Sequence, residues 1–253
     1  ELRVAQAETA RSEKLASVGL LAAGIAHELN NPLTGVLTFA YLVRKNLPAE
    51  SQDAKDLDLV IRETKRCATI IRRLLDFSRE KEPEKDYCNL NAIIKDTLQL
   101  IEQPVQLQNI ELVTDLDEQL PQVWLDENLI KQVIMNMLVN ARHAIKNDGT
   151  ITIGTRFKNA GDCPASIQAY GDMAEITITD TGCGIPKEDL RKIFDPFFTT
   201  KEVGKGTGLG LSVSYSTVEA HRGTIEVESV EGEGTSFRIY LAINKKKDPG
   251  SNI

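Results

Sequence analysis

The sequence predicts a long helical hairpin followed by a mixed α and β domain, and three features of it say so. Apolar or small residues recur at alternating spacings of three and four from Leu15 through Val18, Ala22, Ile25, Leu29, Pro32/Leu33, Val36, Ala40, Val43 and Leu47, the seam of a coiled coil or helix bundle. The same alternation restarts after Asn46-Leu47-Pro48 and runs through Leu57, Val60/Ile61, Thr64, Cys67/Ala68, Ile71 and Leu74/Leu75. Beyond the charged, proline-bearing run Glu80-Lys81-Glu82-Pro83-Glu84-Lys85-Asp86, β-branched residues fall on alternate positions between shorter helical stretches, so the period switches from helix to strand.

Each element has a local reason. Two long helices joined by a short turn make an antiparallel hairpin; alone it buries too little, which predicts that two copies pair into a four-helix bundle. Pro32 removes a backbone donor and predicts a bend just after it. In the second part the spacing predicts a helix over 90–101, capped by Asn89 or Asn91, a strand over 109–116, and a helix from the Asp126 cap to Ile145, stopped by Asn147-Asp148-Gly149. Strands are predicted over 150–156 and 174–179, with an exposed turn-rich loop at 158–172 between them. A helix over 209–220 and a closing hairpin of 224–229 with 236–243 follow. The domain reading is therefore 1–82 for the hairpin, 83–88 for the linker, 89–244 for the α/β domain and 245–253 for a disordered basic tail.

The bulk numbers exclude several classes. A net charge of −7 disfavours non-specific nucleic-acid binding. The longest apolar run, Val18 to Ala26, is far shorter than the roughly 20 residues a membrane span needs, so no membrane contact is expected within this chain. It begins with Glu1 and reads as a piece of a longer, cytoplasmic or membrane-anchored protein. The four cysteines, Cys67, Cys88, Cys163 and Cys183, show no Cys-x-x-Cys spacing and read as reduced thiols.

Chemistry concentrates first at Gly24-Ile25-Ala26-His27-Glu28-Leu29-Asn30-Asn31-Pro32. His27 lies two residues from both Ile25 and Leu29, about 200° around a helix from each, so it is displayed away from the seam. Asn31 shares its face one turn later, and Glu28 stands beside it. A surface histidine without a role is one reading. A His-Glu-x-x-His zinc site fails because position 31 is Asn. The third makes His27 a nucleophile that Glu28 deprotonates, which requires an electrophile from elsewhere.

The second domain offers a place for one. Asp180-Thr181-Gly182-Cys183-Gly184-Ile185 follows a strand; its glycines permit close approach of a flat ligand, and its carboxylate can accept from an exocyclic amine. Gly204-Lys205-Gly206-Thr207-Gly208-Leu209-Gly210 feeds a helix start, where backbone N–H groups and Lys205 suit an anion, without the spacing of a Walker motif or dinucleotide fingerprint. Asn136 and Asn140, one turn apart on the helix after Asp126, could ligate a hard cation such as Mg²⁺ through amide oxygens. A tight turn, a mobile loop and a pair of core amides are the corresponding structural alternatives.

Taken in order, these stretches resemble the boxes of the sensor histidine kinases. His27-Glu28-Leu29-Asn30-Asn31-Pro32 resembles the H-box, Asn136 to His143 the N-box, Asp180 to Gly184 the G1 box, Phe194-Asp195-Pro196-Phe197-Phe198 the F-box, Gly204 to Gly210 the G2 box, and Gly232 to Phe237 the last glycine motif. The resemblance implies a two-layer α/β sandwich that binds ATP, of the type shared with gyrase, mismatch-repair and heat-shock chaperone ATPases, behind a dimeric four-helix bundle. It implies that Asp180 accepts from the adenine amine, with Thr235 nearby through water, and that Asn140 holds Mg²⁺ with Asn136 in support. It further implies a lid over about 185–207, beginning at Ile185, tethered by Phe197 and Phe198, with Lys201 or Lys205 meeting phosphate oxygens. Gly182, Gly184, Gly206, Thr207, Gly208, Leu209 and Gly210 complete the expected pocket. Position 143, often Lys or Arg in the family, is His here, and a neutral imidazole makes a poorer phosphate contact. The implied function is autophosphorylation of His27, transfer to an aspartate on the receiver domain of a response regulator, and dephosphorylation of that regulator with Asn31 positioning water. The rival is a dimeric module that binds ATP as a gate and transfers nothing. Gyrase-like relatives hydrolyse ATP with a glutamate on the N-box helix, whereas the only acids before Asn140 here, Asp126 and Glu127, stand too far away.

Overall fold

The computed structural model describes residues 29, 31–78, 83–106, 108–201 and 206–243. His27, Glu28, Lys205 and the expected basic tail lie outside them. The chain divides into two compact units, Glu1–Lys81 and Glu82–Ile253.

Unit 1 is a helical hairpin: α1 over residues 31–45 and α2, Gln52–Ser78. The Ser51 hydroxyl accepts from Ala54 N–H at 3.2 Å and caps α2. The apolar pattern resolves into two stripes. Ala40 on α1, with Ala54, Ile61 and Ile71 on α2, is buried within the hairpin, and Arg44 reaches Asp58 across it at 2.9 Å. Leu29, Val36, Phe39, Leu42 and Val43, together with Leu59 and Val60, remain exposed, Phe39 at 70%. The sequence seam joined both stripes because a bundle helix meets more than one neighbour and needs an apolar face wider than a two-helix seam.

Unit 2 places three helices against a sheet. Its elements are β1 (Asp86–Cys88), α3 (Leu90–Gln106), β2 (Ile110–Asp115), β3 (Val123–Leu125), α4 (Glu127–Ala144), β4 (Gly149–Lys158), β5 (Met173–Asp180), α5 (Gly210–Ala220), β6 (Thr224–Val230) and β7 (Gly234–Ala242). The five-stranded sheet runs β2-β4-β5-β7-β6, with β2 and β4 parallel and the other pairs antiparallel. Alternation sends Ile151, Ile153, Ile176, Ile178, Phe237 and Ile239 to one face, where they join Ile94, Ile130, Ile134, Met137, Leu138 and Val218 in one core. Each such side chain contributes about 1.5–3 kcal/mol of burial. On the other face, 3₁₀ turns at Ala160–Asp162 and Gln168–Tyr170 lie in the predicted loop, and Cys163 and Ile167 pack on Met173, Tyr240 and Ala242.

Two short strands escaped the sequence reading. β1 takes up the charged run's end and pairs antiparallel with β3, so Asp86–Cys88 is structure and not solvated linker. A three-residue strand carries too little alternation to announce itself, and the tilted ring pair of Tyr87 and Trp124, centroids 4.8 Å apart, is a tertiary contact. α3 extends past the prediction to Gln106 with Pro104 inside its last turn; Asn89 is its cap, accepting from Ala92 N–H at 3.1 Å.

The start of unit 2 is tied down around His221, which is 3% exposed at the end of α5. Its Nδ1–H donates to Thr217 O at 2.7 Å, leaving Nε2 to accept from Asp126 N–H at 3.0 Å. The Asp126 carboxylate caps α4 through Leu129 N–H and also accepts from Glu84 N–H, while Lys85 Nζ donates to Ala220 O. Burial, then the Lys85 charge, pull the His221 pKa below its ordinary value against the Thr217 carbonyl and Asp126, which raise it. A depressed histidine pKa stabilises the fold above the unfolded value of about 6.5 and loses that contribution as pH falls toward the folded one. Unit 2 should therefore unfold at lower denaturant as pH drops below about 6.5. His221→Gln should flatten that slope and cost about 1–3 kcal/mol at neutral pH, read by denaturant titrations across the window; an unchanged slope in the variant would assign it elsewhere.

Candidate functional site

The candidate site sits where β5, the end of α4, the start of α5 and the β6–β7 turn converge. Asp180 closes β5 at 5% exposure. Its Oδ1 accepts from Gly182 N–H at 2.8 Å, and a second backbone bond comes from Thr235, its register partner on β7. Burial raises its pKa while the two N–H bonds oppose the rise. The turn that follows is strapped on both sides: Cys183 N–H donates to Ala144 O at 3.0 Å, and Gly232 N–H to Cys183 O at 2.8 Å. Gly182 packs against the end of α4, and Gly184, at φ +69°, against Val230. At Gly234 a Cβ would lie 2.0 Å from the Asp180 carbonyl oxygen, so only glycine lets β7 begin beside the acid.

The F-box anchors the segment beyond Ile185. Phe194 is buried and meets Tyr215 at 5.2 Å, and Phe198 packs on the core. Phe197 is 53% exposed, and its backbone, at φ +68°, makes a tie, its N–H donating to Gly208 O at 3.0 Å. Gly208 has φ +65°, and a Cβ there would meet the Phe197 carbonyl carbon at 2.3 Å. Phe197 and Gly208 thus tie the F-box to the G2 stretch. Gly206 lies near Thr199 and Lys201, Thr207 Oγ1 accepts from Leu209 N–H at 3.4 Å, and α5 starts at Gly210 with no side-chain cap at Leu209.

On α4 the two asparagines separate in role. Asn136 Nδ2 donates to Gly210 O and Ser214 Oγ, binding α4 to the start of α5. Asn140 Oδ1 accepts from Lys201 Nζ at 3.1 Å, so this amide oxygen already faces a cation, as a hard metal ligand would. His143 lies between two further donors, with Lys201 Nζ 3.1 Å from Nδ1 and Arg142 Nη2 3.0 Å from Nε2. A neutral imidazole accepts at one nitrogen only. Arg142 Nε is buried with no partner among the described residues. The cluster has more donors than acceptors, a balance an anion would correct. Burial, then Lys201 and Arg142, lower the His143 pKa, and burial followed by Arg142 lowers that of Lys201.

Of the sequence-predicted residues, Asp180, Gly182, Gly184, Ile185 and Thr235 meet at the β5–β7 end, and Asn140, His143 and Lys201 form the donor cluster. Phe197, Phe198, Gly206, Thr207, Gly208, Leu209 and Gly210 line the approach to α5. Asn31 is exposed on α1 in unit 1. Two polar partners were missed, Arg142 and Ser229. Ser229 had left a signal, a hydroxyl in an inward slot of a strand whose other inward residues, Ile225 and Val227, are apolar. Among the described residues no helix is long and apolar enough to cross a membrane, and no group of three His, Cys, Asp or Glu side chains could hold a metal.

Comparison with known proteins agrees with this division. Residues 125–245 match the family described as histidine kinase-, DNA gyrase B- and HSP90-like ATPase, and residues 17–83 match the His Kinase A (phospho-acceptor) domain. The signal transduction histidine-protein kinase AtoS of Escherichia coli (strain K12) is 37% identical over 94% of this chain and 37% of its own length. The sensor kinase CckA of Brucella abortus (strain 2308) is 39% identical over 95% of this chain and 26% of its own. This chain thus spans about a quarter of one of these relatives and over a third of the other. The solved structure of histidine kinase ThkA in complex with response regulator protein TrrA superimposes with a TM-score of 0.63 at 28% identity, covering 96% of this chain and 67% of that one. With a phospho-acceptor domain ahead of a gyrase- and HSP90-like ATPase domain, the chain belongs to the sensor histidine kinases of two-component systems.

Proposed function

We propose that this chain binds ATP with Mg²⁺ in unit 2 and phosphorylates its own His27, then passes the phosphoryl group to an aspartate on a response-regulator receiver domain and dephosphorylates that regulator. The observation that carries the reading is the pairing, within one unit, of a buried acceptor and a surplus of donors. Asp180 offers oxygen to a base amine, and Arg142, His143 and Lys201 offer N–H groups to a triphosphate. The amide oxygen of Asn140 suits Mg²⁺, which when bound with the phosphates would neutralise charge on the transferring group. Triphosphate binding beside His143 would restore its lost basicity and turn a second ring nitrogen into a donor.

His27 attacks the γ-phosphorus through Nε2, the nitrogen implied by family resemblance; the N–P bond forms as the bond to the leaving ADP oxygen breaks. The proton on Nδ1 passes to Glu28, so the product imidazole is neutral. The exposed stripe of Val36, Phe39 and Val43 supports pairing of two hairpins into a four-helix bundle. The ThkA complex, a kinase seated with its regulator, supports the choice of partner class.

Incubating the chain with γ-labelled ATP and Mg²⁺ tests the reading. Label should enter the protein and prove acid-labile and base-stable, as phosphohistidine is. Base-labile or absent label would refute it. The pocket is tested separately by Asp180→Asn, which weakens a charge-assisted hydrogen bond of about 1.5–3 kcal/mol and should lower ATP affinity roughly tenfold to a hundredfold. Equal affinity in calorimetry would move the base elsewhere.

A further inference from the structure

Three strands bring Ser229, Thr235 and Asp180 into one row, since Thr235 is the register partner of Ser229 on one side and of Asp180 on the other. Ser229 Oγ has three polar neighbours: Gly234 O at 2.8 Å, Ile185 N at 2.8 Å and Thr235 Oγ1 at 2.9 Å. A serine hydroxyl carries one proton and two lone pairs. The Gly234 carbonyl can only accept, so it takes that proton. The Ile185 N–H can only donate, so it fills one lone pair. The remaining lone pair can take only the Thr235 proton, and the hydroxyl–hydroxyl contact acquires a direction. Thr235 donates to Ser229 and has no proton left to offer. Beside it, Asp180 accepts from Gly182 and Thr235 N–H groups, so its carboxylate presents oxygen lone pairs as well.

We propose that Ser229 sets the purine preference of this pocket: by holding the Thr235 proton it leaves a row of acceptors only, which suits a 6-amino purine and opposes a 6-oxo purine. The inference rests on the reading that Asp180 meets the base. The row is taken to meet the 6-substituent and not N1, which is an acceptor in the amino base and an N–H donor in the oxo base: a carbonyl oxygen there would face lone pairs, whereas an amine donates into them. Ser229 acts through Thr235 and is a positioning residue. Its loss frees the Thr235 hydroxyl to rotate and donate, which relieves the penalty on the oxo base while leaving the triphosphate contacts as they were.

The test is equilibrium binding of ATP and of inosine triphosphate, which replaces the 6-amino group by an oxo group, to the unmodified chain, Ser229→Ala, Ser229→Cys and Asp180→Asn. The unmodified chain should prefer ATP. Ser229→Ala should narrow that preference about tenfold, mainly through a gain in inosine triphosphate affinity, the scale of one hydrogen bond made or lost. Ser229→Cys fills the same space with a weak acceptor and should narrow it in the same direction, which keeps the test available if the alanine variant does not fold. A purely structural serine would weaken both nucleotides equally and leave their ratio unchanged. That outcome, with Asp180→Asn still weakening ATP, overturns the proposal alone. Unchanged ATP affinity in Asp180→Asn instead removes the base from this row and overturns the pocket reading together with it.

Discussion

His27→Gln should abolish acid-labile labelling from γ-labelled ATP while leaving ATP affinity unchanged. The sequence holds three histidines, and the structure accounts for the other two. His221 is buried with both ring nitrogens hydrogen-bonded, one to Thr217 O and one to Asp126 N–H; His143 stands among the α4 donors beside Lys201 and Arg142. Neither combines a free nitrogen with an adjacent carboxylate on its own helix. Glutamine keeps polarity and hydrogen-bonding capacity at position 27 without a phosphorylatable ring nitrogen. Because the residues proposed for ATP all lie in unit 2, nucleotide binding supplies an internal control. Acid-labile label persisting in His27→Gln would transfer the acceptor role to another histidine.

The second large effect divides the H-box into two roles. Glu28→Ala should slow autophosphorylation by about 10²–10⁴, the usual contribution of a positioned general base. Asn31→Ala should keep autophosphorylation within about a few-fold, because a carboxamide is no general base and position 31 lies four residues along the chain from His27. It should instead lose dephosphorylation of the regulator, where an amide four residues after His27 would position water against the aspartyl phosphate. Asn31 is exposed on α1, so neither its loss nor its carboxamide's absence opens a cavity in the hairpin. A time course of His27 labelling and a decay curve of phosphorylated regulator, run with both variants, read the two roles separately. Loss of labelling in Asn31→Ala, or unchanged regulator decay, would refute the division.

Much of this protein was written locally. Helical periodicity specified α1 and α2, the capping candidates (Asn89 or Asn91 for α3, Asp126 for α4) marked where α3 and α4 begin, and alternation specified β4, β5, β6 and β7 to within about two residues. These signals survive in one dimension because helix and strand each impose a fixed spacing on whichever residues face the core. The glycine stretches could be read for the same reason, as chain geometry at Gly208 and Gly234 tolerates no side chain. Ordered boxes from His27 to Thr235 were enough to name the family.

What the tertiary structure alone decided is which polar atoms meet. Nothing in the spacing joins Lys201 to Asn140, 61 positions away, or Lys85 to the end of α5, 135 positions away. β1 and β3 exist because they pair with each other. The exposure of Phe197 could not be foreseen, since nothing in the spacing joins its N–H to Gly208 O. Likewise the sorting of the α1 apolar residues into a buried and an exposed stripe depends on where α2 lies. Hydrogen-bond direction in the Ser229–Thr235–Asp180 row follows from counting protons among atoms that three strands bring together. A sequence states which donors and acceptors a chain owns; burial, which removes water as the alternative partner, decides which of them must satisfy one another.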